Sequence, residues 1–335
     1  MKALLLINLG TPDAPEKKDV KRYLTEFLND GRVIDFPALK RKLLVNGIIV
    51  PFRASASTLA YKELWTEKGS PLQFHTAALA GKVQKELEGQ YEVFYAMRYQ
   101  NPSLDEVLAK IEQKVFSELV VVPLYPQYAS STTGSTAQRV MEIVGKWEVI
   151  PSMRFVNTFH ENEAFIRAIV AQGDKHDIQS YDRILFSYHG LPERHIKKSC
   201  KVPGCKPEDC ISSNEEQRKY CYRSACYETT RRVVKYLQIP EDKYGVVFQS
   251  RLGKDPWLQP YAEPTIIELA KQGYKRLLVF SPAFVADCLE TVVEIGSEYQ
   301  EVFEENGGEH IQLVESLNSS SLWVKAVKDI VLNPV

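Results

Sequence analysis

Residues 183–192, Arg-Ile-Leu-Phe-Ser-Tyr-His-Gly-Leu-Pro, decide how this 335-residue chain folds. The run predicts a β-strand over residues 183–188, and the glycine and proline after His189 force a turn. Residues 3–8 form a similar apolar run that ends in Gly10-Thr11-Pro12. The same strand-and-turn pattern therefore occurs once in each half of the chain.

Other strand ends repeat in the same order. Residues 93–96 lead into Met97-Arg98 as residues 245–249 lead into Ser250-Arg251, and residues 117–124 and 276–280 both lead into a segment with proline at its second position. Amphipathic helical patterns lie between the strands, which indicates βαβ units and parallel sheets. We expect an α/β protein with two similar doubly wound, Rossmann-like halves that face each other across a ligand crevice.

The predicted domains are residues 1–155 and residues 156–318, and the second half contains a cysteine-rich insertion at 196–226. Residues 319–335 form a last helix, with Asn318 and Ser319 as candidate caps, that we expect to pack back on the first half. In the first half, a helix over residues 104–116 has one apolar face, made of Leu104, Val107, Leu108, Ile111 and Val115.

Composition excludes several classes of protein. The 44% apolar and 25% charged residues are those of a globular chain. Forty-two basic residues against 43 acidic ones leave a net charge of -1, which disfavours nucleic acid as a partner. The pattern shows no run of about 18 apolar residues and no signal peptide at the N-terminus, so we expect a soluble, cytoplasmic protein.

Chemistry is expected where the strands end, because ligands of such sheets bind beyond the carboxyl ends of the strands. His189 lies at one such end, where its imidazole is either a hydrogen-bonded structural group or a proton acceptor and metal ligand. Asp287 and Glu290 follow the strand at 276–280. Glu290 begins a long helix whose acidic face continues through Glu294, and that face is either simply solvated or part of a proton or metal relay.

Two further strand ends carry groups suited to a flat, largely apolar ligand with carboxylates. Tyr125 and Tyr128 lie in an uncharged loop with Ser131 and Thr132, whose hydroxyls could instead cap the next helix. Arg98-Tyr99 and Arg251 could bind carboxylates. Neither a Walker A motif nor a Gly-x-Gly-x-x-Gly element follows these strands, which disfavours a nucleotide.

Five of the six cysteines lie within 27 residues, with the spacing Cys-x4-Cys-x4-Cys-x10-Cys-x4-Cys, and Cys288 stands apart. In a chain without a secretion signal, such a cluster indicates a metal site more than disulfides. Zinc and unliganded thiols stay open, but the repeated four-residue gaps suit a [2Fe-2S] cluster better.

Together the strand ends resemble the ferrochelatase family over nearly the whole chain. The resemblance rests on eight motifs in order, namely Asn8-Leu9-Gly10-Thr11-Pro12, Gly69-Ser70-Pro71-Leu72, Met97-Arg98-Tyr99, Tyr125-Pro126-Gln127-Tyr128 with Ser131-Thr132-Thr133-Gly134, Ser187-Tyr188-His189-Gly190-Leu191-Pro192, Phe248-Gln249-Ser250-Arg251, Pro256-Trp257-Leu258 and Phe284-Val285-Ala286-Asp287-Cys288-Leu289-Glu290-Thr291. It implies insertion of Fe(II) into protoporphyrin IX to make haem, with release of two protons.

The resemblance also implies roles for single residues. His189 and Glu290 match the catalytic histidine and glutamate, which would also handle the Fe(II), and Asp287 and Glu294 would relay protons or metal. Some members have histidine where this chain has Cys288. The residues expected to bind porphyrin are Arg98, Tyr99, Tyr125, Tyr128, Ser131, Thr132, Arg251, Trp257 and Phe284.

Some ferrochelatases carry a [2Fe-2S] cluster, and the insertion looks like an internal version of it. The expected ligands are Cys200, Cys205, Cys210 and Cys221. Cys226 is a possible substitute, but it belongs to the following helix, where cluster-free members can also have a cysteine.

Other functions stay open at this point. They are a coproporphyrin ferrochelatase, another tetrapyrrole chelatase, and a haem carrier or iron-sulfur sensor. The motifs around Gln249 and Trp257 look more like the protoporphyrin branch of the family than the coproporphyrin branch. Expected partners are protoporphyrin IX and Fe(II), with transient contact to a membrane or to an upstream enzyme of haem synthesis.

Overall fold

The computed structural model describes residues 1–200, 220–251, 253 and 255–333, which fall into two compact units. The first comprises Met1–Tyr125, Ala129–Asn157 and Asn318–Val335, and the second comprises Pro126–Tyr128 and Thr158–Leu317. The short segment Pro126–Tyr128 belongs to the second unit because its polar groups bond there. The Gln127 amide donates to Thr229 Oγ1 (3.1 Å), and the Thr158 hydroxyl donates to the carbonyl of Pro126 (2.8 Å).

The first unit is built on a parallel sheet of four strands in the order β2-β1-β3-β4. The strands are β1 (Lys2–Gly10), β2 (Tyr91–Tyr99), β3 (Glu118–Pro123) and β4 (Ser152–Phe155). Residues 3–7 of the central strand β1 are completely buried, as a strand covered on both faces requires.

Helices cover both faces of this sheet. They are α1 (Lys17–Leu28), α2 (Ala38–Leu44), α3 (Val50–Leu64), α4 (Pro71–Glu86), α5 (Leu104–Glu112) and α6 (Ser135–Val144), with π-helical turns at Val45–Ile49 and Ser130–Gly134.

The second unit repeats this plan. Its strands are β5 (Arg183–His189), β6 (Tyr244–Gln249), β7 (Arg276–Phe280) and β8 (His310–Leu313), all parallel in the order β6-β5-β7-β8. Its helices are α7 (Glu163–Gly173), α8 (Glu193–Ser199), α9 (Tyr222–Leu237), α10 (Ala262–Lys271) and α11 (Tyr299–Glu305), with a π-helix at Leu289–Glu298. The matching strand orders confirm the predicted pair of doubly wound α/β halves.

The last helix, α12 (Ser321–Leu332), belongs to the first unit and packs against α4. Lys328 Nζ lies 3.1 Å from a carboxylate oxygen of Glu86 on that helix. The N-cap is Ser320, whose hydroxyl accepts from the backbone N–H of Trp323, and not one of the two candidates chosen from the sequence.

One predicted apolar face extends too far. Helix α5 ends at Glu112, four residues before the predicted end, and Val115 is 99% exposed. The other four members of that face are buried. The prediction for Val115 was wrong because the helical period no longer applies once the chain has left the helix.

A helical stretch from Ala38 to Leu64 is long and apolar enough to cross a membrane by length and composition. Only 22% of its most apolar part is buried. A search for uninterrupted apolar residues misses this stretch because Asn46 and Arg53 break the run.

Candidate active site

His189 is the last residue of β5, and its ring is held in one tautomer. Nδ1 lies 2.6 Å from the carbonyl oxygen of Gly190. Because a carbonyl oxygen can only accept, Nδ1 carries the proton. Nε2 of the neutral imidazole therefore keeps its lone pair, which can take a proton or bind a metal ion.

The backbone around His189 is tied on two sides. In the sheet His189 pairs with Gln249 of β6, and its carbonyl accepts a hydrogen bond from the Tyr222 hydroxyl (2.9 Å) at the start of α9. A Cβ on Gly190 would lie 2.8 Å from the carbonyl oxygen of Gln249 and 3.3 Å from the Trp257 ring. Only glycine allows this close approach after the histidine.

Trp257, a predicted porphyrin wall, lies beside this turn. The tryptophan pairs with Pro192 in a short antiparallel bridge, and its ring centroid is 6.5 Å from that of His189. The structure therefore brings an aromatic side chain next to the imidazole.

Glu290 lies in the first turn of the π-helix Leu289–Glu298. Its carbonyl oxygen accepts a hydrogen bond from the Gln249 side-chain amide (3.0 Å). Gln249 is thus the backbone partner of His189 and the side-chain partner of Glu290, so one residue connects the two predicted catalytic positions. Gln249 lies in a motif of the sequence, but nothing in the sequence indicates this connecting role.

Cys288 caps the π-helix and is buried. Burial raises the pKa of its thiol, and the charge of Glu290 beside it raises the pKa further. Cys288 is therefore a neutral thiol in contact with the Glu290 carboxylate.

The two predicted relay carboxylates are both engaged in hydrogen bonds. Asp287 Oδ1 accepts from the backbone N–H of Ser316 (3.3 Å). Glu294 accepts from Gln249, from the backbone and hydroxyl of Ser250, and from Tyr299.

Arg98 and Tyr99 form a buried cluster in the first unit. Arg98 Nη2 lies 2.6 Å from Asp30 Oδ2, the Arg98 Nε–H bonds the Ser135 hydroxyl (2.8 Å), and the Tyr99 hydroxyl donates to the same Asp30 oxygen (2.9 Å). Burial alone would raise the pKa of Asp30, but hydrogen bonds from Ser135 and the backbone of Arg32, with the Arg98 charge, lower it. Arg98 is thus already paired with a carboxylate of this chain.

Asp30 and Ser135 are members of this cluster that sequence analysis missed. Asp30 follows helix α1 and not a strand, so the search at strand ends did not reach it. Asp30 and Arg98 are 68 positions apart in the chain, so no local sequence pattern indicates that they are in contact.

The remaining predicted porphyrin residues divide between the units. In the first, the buried Tyr125 hydroxyl lies beside Thr136, and Ser131 and Thr132 are half-buried in the π-turn Ser130–Gly134.

In the second unit, the Tyr128 ring stacks edge-to-face on Tyr220, with centroids 5.2 Å apart. The Arg251 guanidinium lies 5.0 Å from the Tyr261 ring centroid, and Phe284 is half-buried after β7.

The structure describes three of the five clustered cysteines. Cys200 follows α8, Cys221 is the N-cap of α9, and Cys226 is buried in that helix beside Tyr188 and Tyr222. Cys205 and Cys210 lie outside the described residues. Within the described part of the chain, no three histidine, cysteine or acidic side chains are grouped as a metal site.

Comparison with known proteins gives one consistent result. A family model described as Ferrochelatase matches residues 1–334. Ferrochelatase of Legionella pneumophila (strain Lens) is 42% identical over 333 residues, which cover 98% of each chain. Ferrochelatase of Coxiella burnetii (strain Dugway 5J108-111) is 40% identical over 327 residues, covering 97% of this chain and 91% of the relative.

Solved structures show the same fold at low identity. SirB from Bacillus subtilis with Fe3+ has a TM-score of 0.56 and 12% identity, with 99% of this chain and 97% of that chain covered. The cobalt complex of the sirohydrochlorin chelatase SirB from Bacillus subtilis subspecies spizizenii has a TM-score of 0.51, also at 12% identity, over 100% of this chain and 97% of that chain.

Proposed function

The chain belongs to the ferrochelatase family, whose members are enzymes that insert iron into a porphyrin in haem biosynthesis, and from this premise we propose that its substrate is protoporphyrin IX and that His189 and Glu290 carry the reaction. The observation that carries the proposal is the pair of contacts made by Gln249. It holds the strand end of His189 and the first turn that contains Glu290 at one place.

The reaction needs a base and a metal ligand. Fe(II) enters the macrocycle as two pyrrole N–H protons leave, so the charge of the porphyrin stays balanced. Nε2 of His189 can accept one of these protons, and the Glu290 carboxylate can guide the cation or accept the other proton. Imidazole and carboxylate are both suitable ligands for Fe(II).

The remaining side chains would bind the macrocycle. Tyr125, Tyr128, Trp257 and Phe284 would supply aromatic walls, and Ser131, Thr132 and Arg251 polar contacts. Arg98 and Tyr99 already bond Asp30 and would have to exchange that partner for the porphyrin. Such a site accelerates insertion if it fits a buckled ring better than the flat substrate, because only binding that is tighter in the transition state raises kcat.

An anaerobic insertion assay tests this proposal. Purified protein is mixed with Fe(II) and either protoporphyrin IX or coproporphyrin, and metalloporphyrin absorbance is recorded. We expect turnover of protoporphyrin, and His189→Ala should lower kcat roughly 10²- to 10⁴-fold while porphyrin binding remains.

Three results would contradict it. Preference for coproporphyrin would overturn the substrate, and more than a tenth of wild-type turnover in His189→Ala would remove the histidine from the reaction. Binding without turnover of either porphyrin would indicate a carrier.

We also propose that Cys200, Cys205, Cys210 and Cys221 hold a [2Fe-2S] cluster. Cys221 suits a thiolate ligand, because the N-terminus of helix α9 favours negative charge there. Cys226 lies one turn further into the same helix, among the buried Tyr188 and Tyr222, and is therefore left out of the ligand set. A bound cluster would supply a covalent link between the ends of α8 and α9.

Protein purified without oxygen tests the cluster. It should be red-brown with about two irons per chain, and Cys221→Ser should bleach it, because the cluster needs four thiolates. Cys226→Ser is the matched control in the same helix and should keep the colour, as should Cys288→Ser. Colourless protein with one zinc per chain, or with no metal, would contradict the cluster.

We further propose that the protein works in the cytoplasm and touches a membrane surface through Ala38–Leu64. Exposed apolar side chains at Leu39, Leu43 and Phe52 are interleaved with Lys42 and Arg53, which is typical of helices that lie in the interface of anionic lipid.

Flotation with phosphatidylglycerol vesicles tests this contact. The wild type should float, and a Leu43→Ser/Phe52→Ser variant should remain at the bottom. If neither floats, but an upstream enzyme of haem synthesis retains the wild type and releases the variant, the surface binds that enzyme and the membrane proposal is wrong.

A further inference from the structure

Glu294 has more hydrogen-bond partners than a relay group can use. Its Oε2 accepts from Gln249 Nε2 (2.9 Å) and from the Ser250 hydroxyl (2.7 Å). Its Oε1 accepts from the Ser250 backbone N–H (3.1 Å) and from the Tyr299 hydroxyl (3.0 Å). A carboxylate offers about four lone-pair sites, so each site of Glu294 already faces a donor of this chain.

The donors keep their protons. Amide N–H groups do not titrate, and burial raises the pKa of Tyr299, as does the neighbouring charge of Glu294. A proton that arrived at Glu294 would displace one of these donors, and a metal ion would displace at least one.

We infer that Glu294 is a positioning residue for the insertion reaction, acting through Gln249 to set Glu290 against His189, and not a relay for protons or metal. The inference rests on the proposed roles of His189 and Glu290. Glu294 would act through Gln249 alone, without contact of its own to the reacting atoms.

Gln249 transmits the effect because every polar atom of its side chain is used. Its Oε1 accepts from the Ser187 hydroxyl (2.7 Å), two residues before His189 on β5. Its Nε2 donates both to Glu294 and to the carbonyl of Glu290. Glu294 therefore fixes the amide orientation that ties β5, β6 and the π-helix together.

Ser250 supplies a second, independent reason for an anchor at this place. Its φ is +64°, in the left-handed region that a non-glycine residue adopts at a cost. Both its backbone N–H and its hydroxyl bond Glu294, and these two bonds favour that conformation. The same carboxylate thereby sets the direction in which the chain continues to Arg251.

Glu294→Gln is the first test. In one orientation the new NH2 group faces the Gln249 amide N–H, and in the other it faces the Ser250 backbone N–H. Two donors then meet in either case, and one hydrogen bond is lost. We expect kcat to fall about 10- to 100-fold through misplacement of Glu290, with the pH dependence of kcat unchanged in shape. Glu301→Gln, an exposed carboxylate one helix further on, is the control and should behave as wild type.

Gln249→Met separates positioning from relay, because it removes the connecting amide and leaves the Glu294 carboxylate in place. Positioning predicts the same loss as Glu294→Gln, and a double variant no worse than either single one. Near-normal turnover in Gln249→Met, or loss of one limb of the pH profile in Glu294→Gln alone, would overturn the inference. If Gln249→Met does not fold, Glu294→Asp replaces it. The shorter side chain keeps a carboxylate but cannot reach all four donors, so positioning predicts a loss of kcat as large as in Glu294→Gln. Near-wild-type turnover of Glu294→Asp would count against positioning.

Hydrogen exchange gives a readout that needs no catalysis. Glu294→Gln should speed exchange at the Ser250 N–H and across 289–298, whereas Glu301→Gln should not. If the wild type fails to metallate porphyrin but the two variants still differ in exchange in this way, the proposed function is refuted and the anchoring role of Glu294 is kept. Unchanged exchange would refute the anchor whatever the activity.

Discussion

A single hydrogen bond determines what the His189 side chain can do. With Nδ1–H bonded to the carbonyl of Gly190, the neutral ring has its acceptor at Nε2. Exchange of His189 for glutamine would keep a polar group but remove the ring lone pair at Nε2 that can take a proton or bind a metal ion. The chemistry of the residue thus depends on the turn that Gly190 allows.

Glu290→Gln tests the carboxylate at the start of the π-helix. The change preserves shape and removes the charge, so we expect kcat to fall about 10²-fold or more with porphyrin affinity little changed. Steady-state insertion kinetics and porphyrin fluorescence titration measure the two quantities.

Glu298→Gln is the matched control, because Glu298 lies at the other end of the same π-helix and is exposed. Its turnover should equal that of wild type. Equal losses at both positions would mean that the whole acidic face, and not its first turn, takes part in the reaction.

At the scale of elements, helix α9 connects the cysteine-rich segment to the histidine. Cys221 is its N-cap, and the next residue, Tyr222, donates its hydroxyl proton to the carbonyl of His189. Tyr222 therefore connects the start of α9 directly to the backbone of the proposed base.

Tyr222→Phe measures that connection. Loss of one hydrogen bond should lower stability by about 1 kcal/mol and lower kcat about 3- to 10-fold, since the ring remains to fill its buried site. Thermal unfolding and the insertion assay report the two effects.

Tyr236→Phe removes another tyrosine hydroxyl from the same helix, where it contacts the exposed Glu163. It should leave turnover unchanged. An unchanged kcat in Tyr222→Phe as well would show that the bond to His189 has no part in positioning it.

At the scale of the whole molecule, a buried histidine makes stability depend on pH. Burial lowers the pKa of His160 to about 4, from 6.5 for an accessible imidazole. The unfolded chain therefore binds this proton first as pH falls, so the stabilising contribution is complete above pH 6.5 and is lost as pH falls from 6.5 to 4. The full loss is roughly 3 kcal/mol.

His160→Asn should reduce this dependence. The asparagine amide can replace Nδ1–H as the donor to the Thr158 hydroxyl, which lies 2.7 Å away, but it does not titrate. We expect the difference in thermal stability between pH 7 and pH 4.5 to be smaller than in wild type. The exposed His310 is the control, and His310→Asn should keep the wild-type difference. The same slope in all three proteins would exclude His160 as its source.

The features that the sequence determined by itself are either local to a few residues or repeated in both halves of the chain. Apolar runs and the turns after them predicted the two parallel sheets, their duplication and the strand-end position of His189, because side-chain period and turn chemistry act over a few residues. The position of Glu290 at the start of a helix was equally visible.

Only the tertiary structure decided how these residues are held. Glu290 and Glu294 are bound by Gln249, 41 and 45 positions away in the chain, and Arg98 is paired with Asp30 across 68 positions. The long helix predicted to carry both glutamates is a π-helix from Leu289 to Glu298. Such pairings follow from how the strands pack against helices and loops, and a hydrogen bond between segments far apart in the chain leaves no periodic signal in either of them.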